Sequence, residues 1–374
     1  FDPRATNEAG HPWERGYARI NPGFFDMMDL RIRWLVRSGL VPAIFGAFSY
    51  HLLWMGTERM KRHWRYLVAR YGAYPVIWCL AGCVPMPYYL AEDPKGDSTA
   101  LRAGWTDVAG YLRRVDPYGH PALMQPLPFQ LPLDEKDTGD LLDCYLVHTT
   151  TTRASGPGEM RSFVRQMVLR RPRKPVIAGE SCFEGLPGCT ADDQRFNFWA
   201  TALSGVAGFT YSASGIWQFN NEGDLFGPSP YGTTHANTLW TDAYRLPGST
   251  QVGLGKRFLE QYPWPRSESH PEWVRPHADR ENPVNPYAAG IPGELRVIYL
   301  PNPIYPPPWG ESITLQELEP SVTYRGFFFD PKEGTRYDVG EPITGSVSWT
   351  VPLPPILVKV IKGTNKILNK EAKR

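Results

Sequence analysis

Along the chain, apolar runs of strand length alternate with stretches whose apolar positions recur every three to four residues. That is the pattern of repeated βα units built on a parallel sheet. The first helix is expected over residues 25–38, where Phe25, Met28, Ile32, Leu35 and Val36 share one face; Asn21-Pro22 supplies a start and Gly39 a stop. Val41-Pro-Ala-Ile-Phe-Gly46 reads as a buried strand, 58–71 as the next helix, and Pro75-Val-Ile-Trp-Cys-Leu-Ala81 as the next strand. Helices follow over 105–115, 159–169 and 192–204, and strands over 121–125, 141–148, 174–180 and 206–211. All six strands are apolar on both faces, as a sheet covered by helices requires. A (β/α)8 barrel needs eight strands. The expectation is an α/β chain of TIM-barrel type with about six βα units visible and the first two upstream of Phe1; the alternative is an open, doubly wound six-stranded sheet.

After Trp264 the pattern changes. Residues 266–292 are Pro-rich and polar and read as a linker or strap behind a barrel domain at 1–265. Short β-rich runs at 294–300, 312–318, 322–329 and 355–361, with turn residues and no helices between them, predict a small antiparallel β-sandwich over 293–362. Residues 363–374, with Lys366, Lys370, Lys373 and Arg374, read as a solvated basic tail.

Composition narrows the function classes. With Lys+Arg 40 against Asp+Glu 38, the net charge of +2 supplies no field to capture a polyanion, which disfavours nucleic acid as the partner. The 374 residues hold Trp 13, Tyr 19 and Phe 17 beside Pro 38 and Gly 35, a mixture suited to loops carrying aromatic platforms for sugars. Five cysteines, an odd number, exclude a complete disulfide framework. The uncharged runs at 75–91 and 198–221 are broken by Pro or Gly, so no membrane span is expected. No Gly-x-Ser-x-Gly elbow, phosphate loop or dinucleotide fingerprint appears, and no cofactor is expected. His11, His51 and His63 occur singly and read as loop or helix-surface residues.

In a parallel barrel the reacting groups stand at the carboxyl ends of the strands. Those ends carry Cys83, His148, Glu180 and Tyr211, with Cys182 and Glu184 just beyond Glu180. A carboxylate closing an apolar strand is costly to bury without a partner or a function, which makes Glu180 the leading candidate; the bland reading is a salt bridge that ties a loop. Cys83, His148 and Cys182 form a ligand set that zinc accepts, but no tight Cys-x-x-Cys or His-x-x-x-His spacing supports it, and no metal is expected.

Several stretches carry a family likeness: Ile20-Asn-Pro-Gly-Phe-Phe-Asp, Ala69-Arg-Tyr-Gly-Ala-Tyr-Pro-Val-Ile-Trp-Cys-Leu, Pro85-Met-Pro-Tyr-Tyr, Pro175-Val-Ile-Ala-Gly-Glu-Ser-Cys-Phe-Glu-Gly, Thr210-Tyr-Ser-Ala-Ser-Gly-Ile-Trp-Gln and Leu246-Pro-Gly-Ser. They resemble the apiosidase-like glycoside hydrolases, a barrel family. Ile298-Tyr-Leu-Pro and Phe329-Asp-Pro-Lys-Glu-Gly resemble the small β-sandwich, named a collagen-binding domain, that often follows such barrels. The resemblance implies a carbohydrate substrate, a plant-type furanoside side chain among them, an extracellular or periplasmic setting, and two carboxylates at the ends of strands four and seven. Glu180 occupies the strand-seven position as the nucleophile. Trp78, His148, Glu184, Tyr211 and Trp217 would line the sugar subsite.

The strand-four position departs from the family pattern, because Trp78-Cys-Leu-Ala-Gly82 runs into Cys83 where an acid is expected. A thiol is a weak hydrogen-bonding group and a poor substitute for a carboxylic acid. Glu92 and Asp93 lie further along the same loop as candidate replacements. The strand-six end keeps His148 but reads Leu146-Val-His where the family tends to carry a Gln ahead of the His. Two readings stand: a glycosidase of weak activity, or a carbohydrate-binding or structural protein that keeps the barrel without hydrolysis. Trp217, Phe219 and Tyr231 on the loop after the last strand read either as sugar platforms or as loop core.

Overall fold

The computed structural model describes residues 6–149, 156–226, 237–301, 312–344, 347–351 and 365–370, and divides into two compact units, Phe1–His148 and Thr149–Arg374. The division falls within the βα alternation, not at its end.

The first unit runs α1 (Pro22–Arg37), β1 (Ala43–Phe45), α2 (His51–Met55), α3 (Thr57–Tyr71), β2 (Ile77–Cys79), α4 (Pro94–Val115), β3 (Ala122–Leu123), α5 (Glu135–Leu141) and β4 (Tyr145–His148). The Asn21 side chain accepts the Gly23 N–H at 3.1 Å, capping α1 at the expected start. α3 buries Met60, His63, Trp64, Leu67, Val68 and Tyr71, one face at helical spacing. α4 begins eleven residues before the apolar periodicity does. Its first turns, Pro-Lys-Gly-Asp-Ser-Thr, have no apolar face, yet the Asp93 side chain caps them by accepting the Gly96 N–H at 3.0 Å.

β1, β2 and β3 form a parallel sheet in that order, with Ile44 opposite Trp78 and Cys79 opposite Leu123. β1 does not match the expectation of strands buried on both faces: Ala43 and Phe45 are exposed, Phe45 by 51%. It is an edge of this sheet among the described residues, and one of its sides is uncovered.

His63 is also not the surface residue the sequence suggested. It lies in the core of the first unit, accepting the Trp13 indole N–H on Nδ1 at 3.2 Å, while Nε2 lies 2.9 Å from the Gly46 carbonyl. This pairing requires the neutral Nε2–H tautomer. Burial pushes its pKa down to about 4. Because the folded value lies below the unfolded value of ~6.5, the unfolded state binds the extra proton; the contribution is intact above pH ~6.5 and lost as pH falls towards 4, on the order of 3 kcal/mol. His63→Gln should therefore flatten the acid limb of the urea-midpoint profile over that window. A wild-type-minus-variant difference independent of pH would contradict this.

The second unit continues with α6 (Pro157–Val168), β5 (Val176–Glu180), α7 (Ala191–Ala202), β6 (Gly208–Phe209), α8 (Trp240–Ala243) and α9 (Pro247–Leu259). β5 and β6 pair in parallel, Ile177 with Gly208 and Ala178 with Phe209. α9 packs on α7, and Gly255 makes this possible: a Cβ there would stand 2.4 Å from the Phe198 ring.

The expected linker is not a linker. Residues 266–292 supply β7 (Glu268–Ser269), β8 (Val274–Arg275) and β9 (Tyr287–Ile291), followed by β10 (Leu295–Tyr299), β11 (Thr314–Leu315), β12 (Tyr324–Phe329), β13 (Arg336–Asp338), β14 (Trp349–Thr350) and β15 (Asn365–Lys370). These form a six-stranded antiparallel sheet, β13-β12-β15-β10-β9-β7, and a three-stranded one, β14-β11-β8. Ala288, Ile298, Tyr324 and Phe328 of the larger sheet share one apolar cluster with Val274 and Leu315 of the smaller. The residues read as a solvated tail include β15, which pairs on both sides, with β10 and β12. The strand expected at 355–361 lies outside the described residues, as does Tyr231. Among the described residues no helix is long and apolar enough to cross a membrane.

Candidate functional site

In the first unit, the chain leaving β2 makes two isolated parallel bridges, Gly82 with Phe48 and Val84 with Pro126. Cys83 stands between these bridges, half-buried, at the carboxyl end of the strand and with φ of 55°, in the left-handed region that non-glycine residues seldom adopt. Its Sγ lies 3.9 Å from Gln125 Oε1. Gln125 follows β3 directly, and the strand-end rule that singled out Cys83 would have found it too.

His148 ends β4, buried, with Nδ1 3.1 Å from the Pro126 carbonyl. A carbonyl only accepts, so Nδ1 carries the proton, and burial holds the pKa below the usual histidine value. Pro126 bridges Val84, and through it Cys83 and His148 come to the same end of this unit's strands. Trp78 does not join them. It is fully buried mid-strand, its ring against Trp64 and His120, and its indole N–H donates to Asp116 at 3.0 Å. No ring face is open to a sugar. Asp93 is occupied as the cap of α4.

In the second unit, Glu180 is the last residue of β5 and is half-buried; its backbone carbonyl accepts the Thr149 N–H at 3.0 Å and the Thr149 hydroxyl at 3.2 Å. The loop beyond it is braced by Glu184. The Glu184 backbone pairs in parallel with Ala213. Its buried carboxylate accepts the Tyr211 hydroxyl at 2.6 Å and the Gly248 N–H at 3.0 Å, at the first turn of α9, where backbone donors lack helical partners. Burial, and then the bond to Glu184, raise the Tyr211 pKa, so the phenol keeps its proton and donates. A Cβ at Gly248 would stand 2.1 Å from Glu184 Oε2, so any larger residue there displaces this carboxylate. The structure thus brings Glu184 and Tyr211 together as predicted residues, but as each other's partners, tying the loops after β5 and β6 to α9.

Trp217 is 44% exposed on the loop after β6, its ring beside Phe183 at 6.1 Å and edge-on to Phe226 at 4.8 Å. Phe183 lies three residues beyond Glu180, which sets Trp217 against the same loop. Among the described residues no group of three or more His, Cys, Asp or Glu side chains is placed to hold a metal ion.

A sequence model of the family described as "Apiosidase-like, catalytic domain" matches residues 3–266. The chain belongs to this family. No curated protein matches this apiosidase-like chain by sequence. Among solved structures, it is similar to one described as "Glycoside hydrolase", with a TM-score of 0.79 and 18% identity over 99% of this chain and 83% of that one. It is also similar to a glycoside hydrolase family 5 protein from Bacteroides vulgatus ATCC 8482, with a TM-score of 0.77 and 18% identity over 98% and 81% of the two chains. The apiosidase-like chain therefore has the TIM-barrel fold of glycoside hydrolases, followed by antiparallel sheets. The family match ends at residue 266, where the first strands of the antiparallel sheets begin.

Proposed function

We propose that the chain binds the sugar end of a plant-type glycan side chain, outside the cytoplasm, and hydrolyses it slowly, with Glu180 as nucleophile or base and position 83 as the acid position. Glycoside cleavage needs one group to protonate the leaving oxygen and a second to attack, or direct water to, the anomeric carbon. Glu180, a carboxylate closing an apolar strand in an apiosidase-like domain, carries this reading. His148, at the carboxyl end of β4 with its Nδ1–H donated to the Pro126 carbonyl, is the histidine of this subsite. Glu184 and Tyr211 act as the brace of the Glu180 loop, and Trp217 offers a ring face.

The test is release of 4-nitrophenol from a panel of aryl furanosides by the purified protein and by Glu180→Gln. The expected outcome is slow release by the wild type that falls at least ~10-fold in the variant, the order of a lost catalytic group. Release unaffected by Glu180→Gln overturns the assignment. A second reading, binding without hydrolysis, is favoured by one observation: the thiol of Cys83 at the acid position. Glycan binding by the wild type with no release of nitrophenol would select it.

A further inference from the structure

The loop after β6 holds more aromatic surface than a single sugar needs. Its anchor is Asn220, which is 1% exposed. The Asn220 N–H donates to the Gly215 carbonyl at 3.2 Å, and its carbonyl accepts the Trp240 N–H at 3.0 Å. In its side chain, Nδ2 donates to the Thr238 carbonyl at 3.0 Å and Oδ1 accepts the Phe226 N–H at 2.8 Å. Beside this anchor, Phe219 has φ of 54° and is 63% exposed. Its ring lies flat on Trp240, with centroids 5.4 Å apart and planes 4° apart. The Trp240 indole N–H is fixed on Asn221 Oδ1 at 3.0 Å, and the Trp240 ring leads on to Tyr244. A tight turn follows, Asn221 and Asp224 exchanging backbone hydrogen bonds of 3.2 and 3.1 Å, which presents Glu222 and Asp224 to solvent.

Each of these features works against an explanation from loop packing. A bulky residue in the left-handed region is strained. Here the strain covers one face of the ring on Trp240 and leaves the residue 63% exposed, a large apolar surface held towards water. The stack is preorganised, because the anchor and the indole hydrogen bond fix it in place. Carboxylates and aromatic faces side by side match a sugar ring, which shows axial C–H groups on one face and hydroxyls around its rim.

We propose that the Phe219–Trp240 stack is a second saccharide-binding platform, which holds a ring of a neutral polysaccharide chain, its C–H face on Phe219 and its hydroxyls on Glu222 and Asp224. The substrate class is then a polymer that carries the side chain, not a small glycoside. This rests on the carbohydrate reading of the chain but not on hydrolysis at Glu180.

The test is native affinity electrophoresis in gels holding neutral plant polysaccharides, run with wild type, Phe219→Gly and Phe219→Tyr. Retardation is read without any hydrolysis step, so that failure of the catalytic assignment leaves this result standing. Phe219→Gly removes the ring and the backbone strain together. It should weaken retardation at least tenfold in apparent Kd with no fall in thermal midpoint, whereas Phe219→Tyr should keep binding within about threefold. Phe219→Gly bound as tightly as wild type, or no retardation of wild type in any of the gels, overturns the proposal. So does a fall in the thermal midpoint that accounts for the lost binding, because the ring would then serve the loop and not a ligand.

Discussion

Cys83→Glu should raise the rate of hydrolysis of alkyl furanosides, whose leaving alkoxide needs a proton, by about 10²–10⁴-fold over wild type, the range that a positioned general acid contributes. The replacement is sterically mild at the backbone. Position 83 already holds a non-glycine side chain at φ of 55°, so an unbranched Glu meets the same left-handed cost that Cys meets. Gln125 lies alongside and offers an amide to the new carboxyl group, in place of the 3.9 Å contact its Oε1 makes with the sulfur. A half-buried carboxyl group beside a neutral amide retains its proton more readily than one in water, as an acid catalyst must. The gain should appear in kcat more than in KM, because proton donation belongs to the transition state. It should vanish in the Cys83→Glu, Glu180→Gln double variant. No gain on any alkyl furanoside would remove position 83 from the mechanism.

What was legible in the sequence follows from which physical signal each segment carries. α3 was readable because Met60, Trp64, Leu67 and Tyr71 recur at helical spacing and all face one core. α9 carries Pro247, Gly248, Gly253 and Gly255, weak helix formers, and the places of Gly248 and Gly255 are dictated by close approach to Glu184 and Phe198, a tertiary cause with no local signature. Residues 266–292 look like a strap because Pro and polar residues dominate, yet their short strands are held by the register of β9 and β11. The strand-end rule selects Cys83, His148 and Glu180 because it depends only on where an apolar run stops, and each does stand at the carboxyl end of a strand. The resemblance, not that rule, put Trp78 in the subsite, and Trp78 lies mid-strand and packs inward; Glu184, which the rule did mark, has its carboxylate taken up by Tyr211 and Gly248. Position along the chain marks a loop as catalytic but does not say which of its polar groups are spent on holding it.

Arg296→Met should cost about 3 kcal/mol in the stability of the antiparallel sheets, the low end of the range for breaking a buried pair, because the Glu319 side chain is 31% exposed. Arg296 sits mid-strand in β10 with 0% exposure, where alternation alone would allow a solvent face. It is neutralised by specific partners. Nη1 donates to the Gln316 carbonyl at 2.7 Å, Nη2 donates to the Glu317 carbonyl and to Glu319 Oε2, the latter at 3.2 Å, and the guanidinium lies 4.0 Å from the centre of the Trp273 ring. Methionine fills the space but leaves two carbonyls and a carboxylate without their donor. Lysine should not rescue, because a point charge cannot satisfy both carbonyls and lie flat on the indole at once. Burial opposes ionisation of Glu319, but the Tyr324 hydroxyl, its backbone donors and Arg296 together hold its pKa below the usual carboxylate range. That part of the stability is present at neutral pH and is lost as pH falls through the depressed value, so the variant should show a shallower acid limb than wild type. Hydrogen exchange at the amides of β9 and β10 reads the effect locally, with protection falling roughly 10²-fold at neutral pH, the fold-change that such a loss implies. The double variant Arg296→Met, Glu319→Gln should recover part of the loss, since it removes the stranded charge along with its partner. Protection unchanged in Arg296→Met would mean that water reaches this arginine and that the two sheets do not close over it.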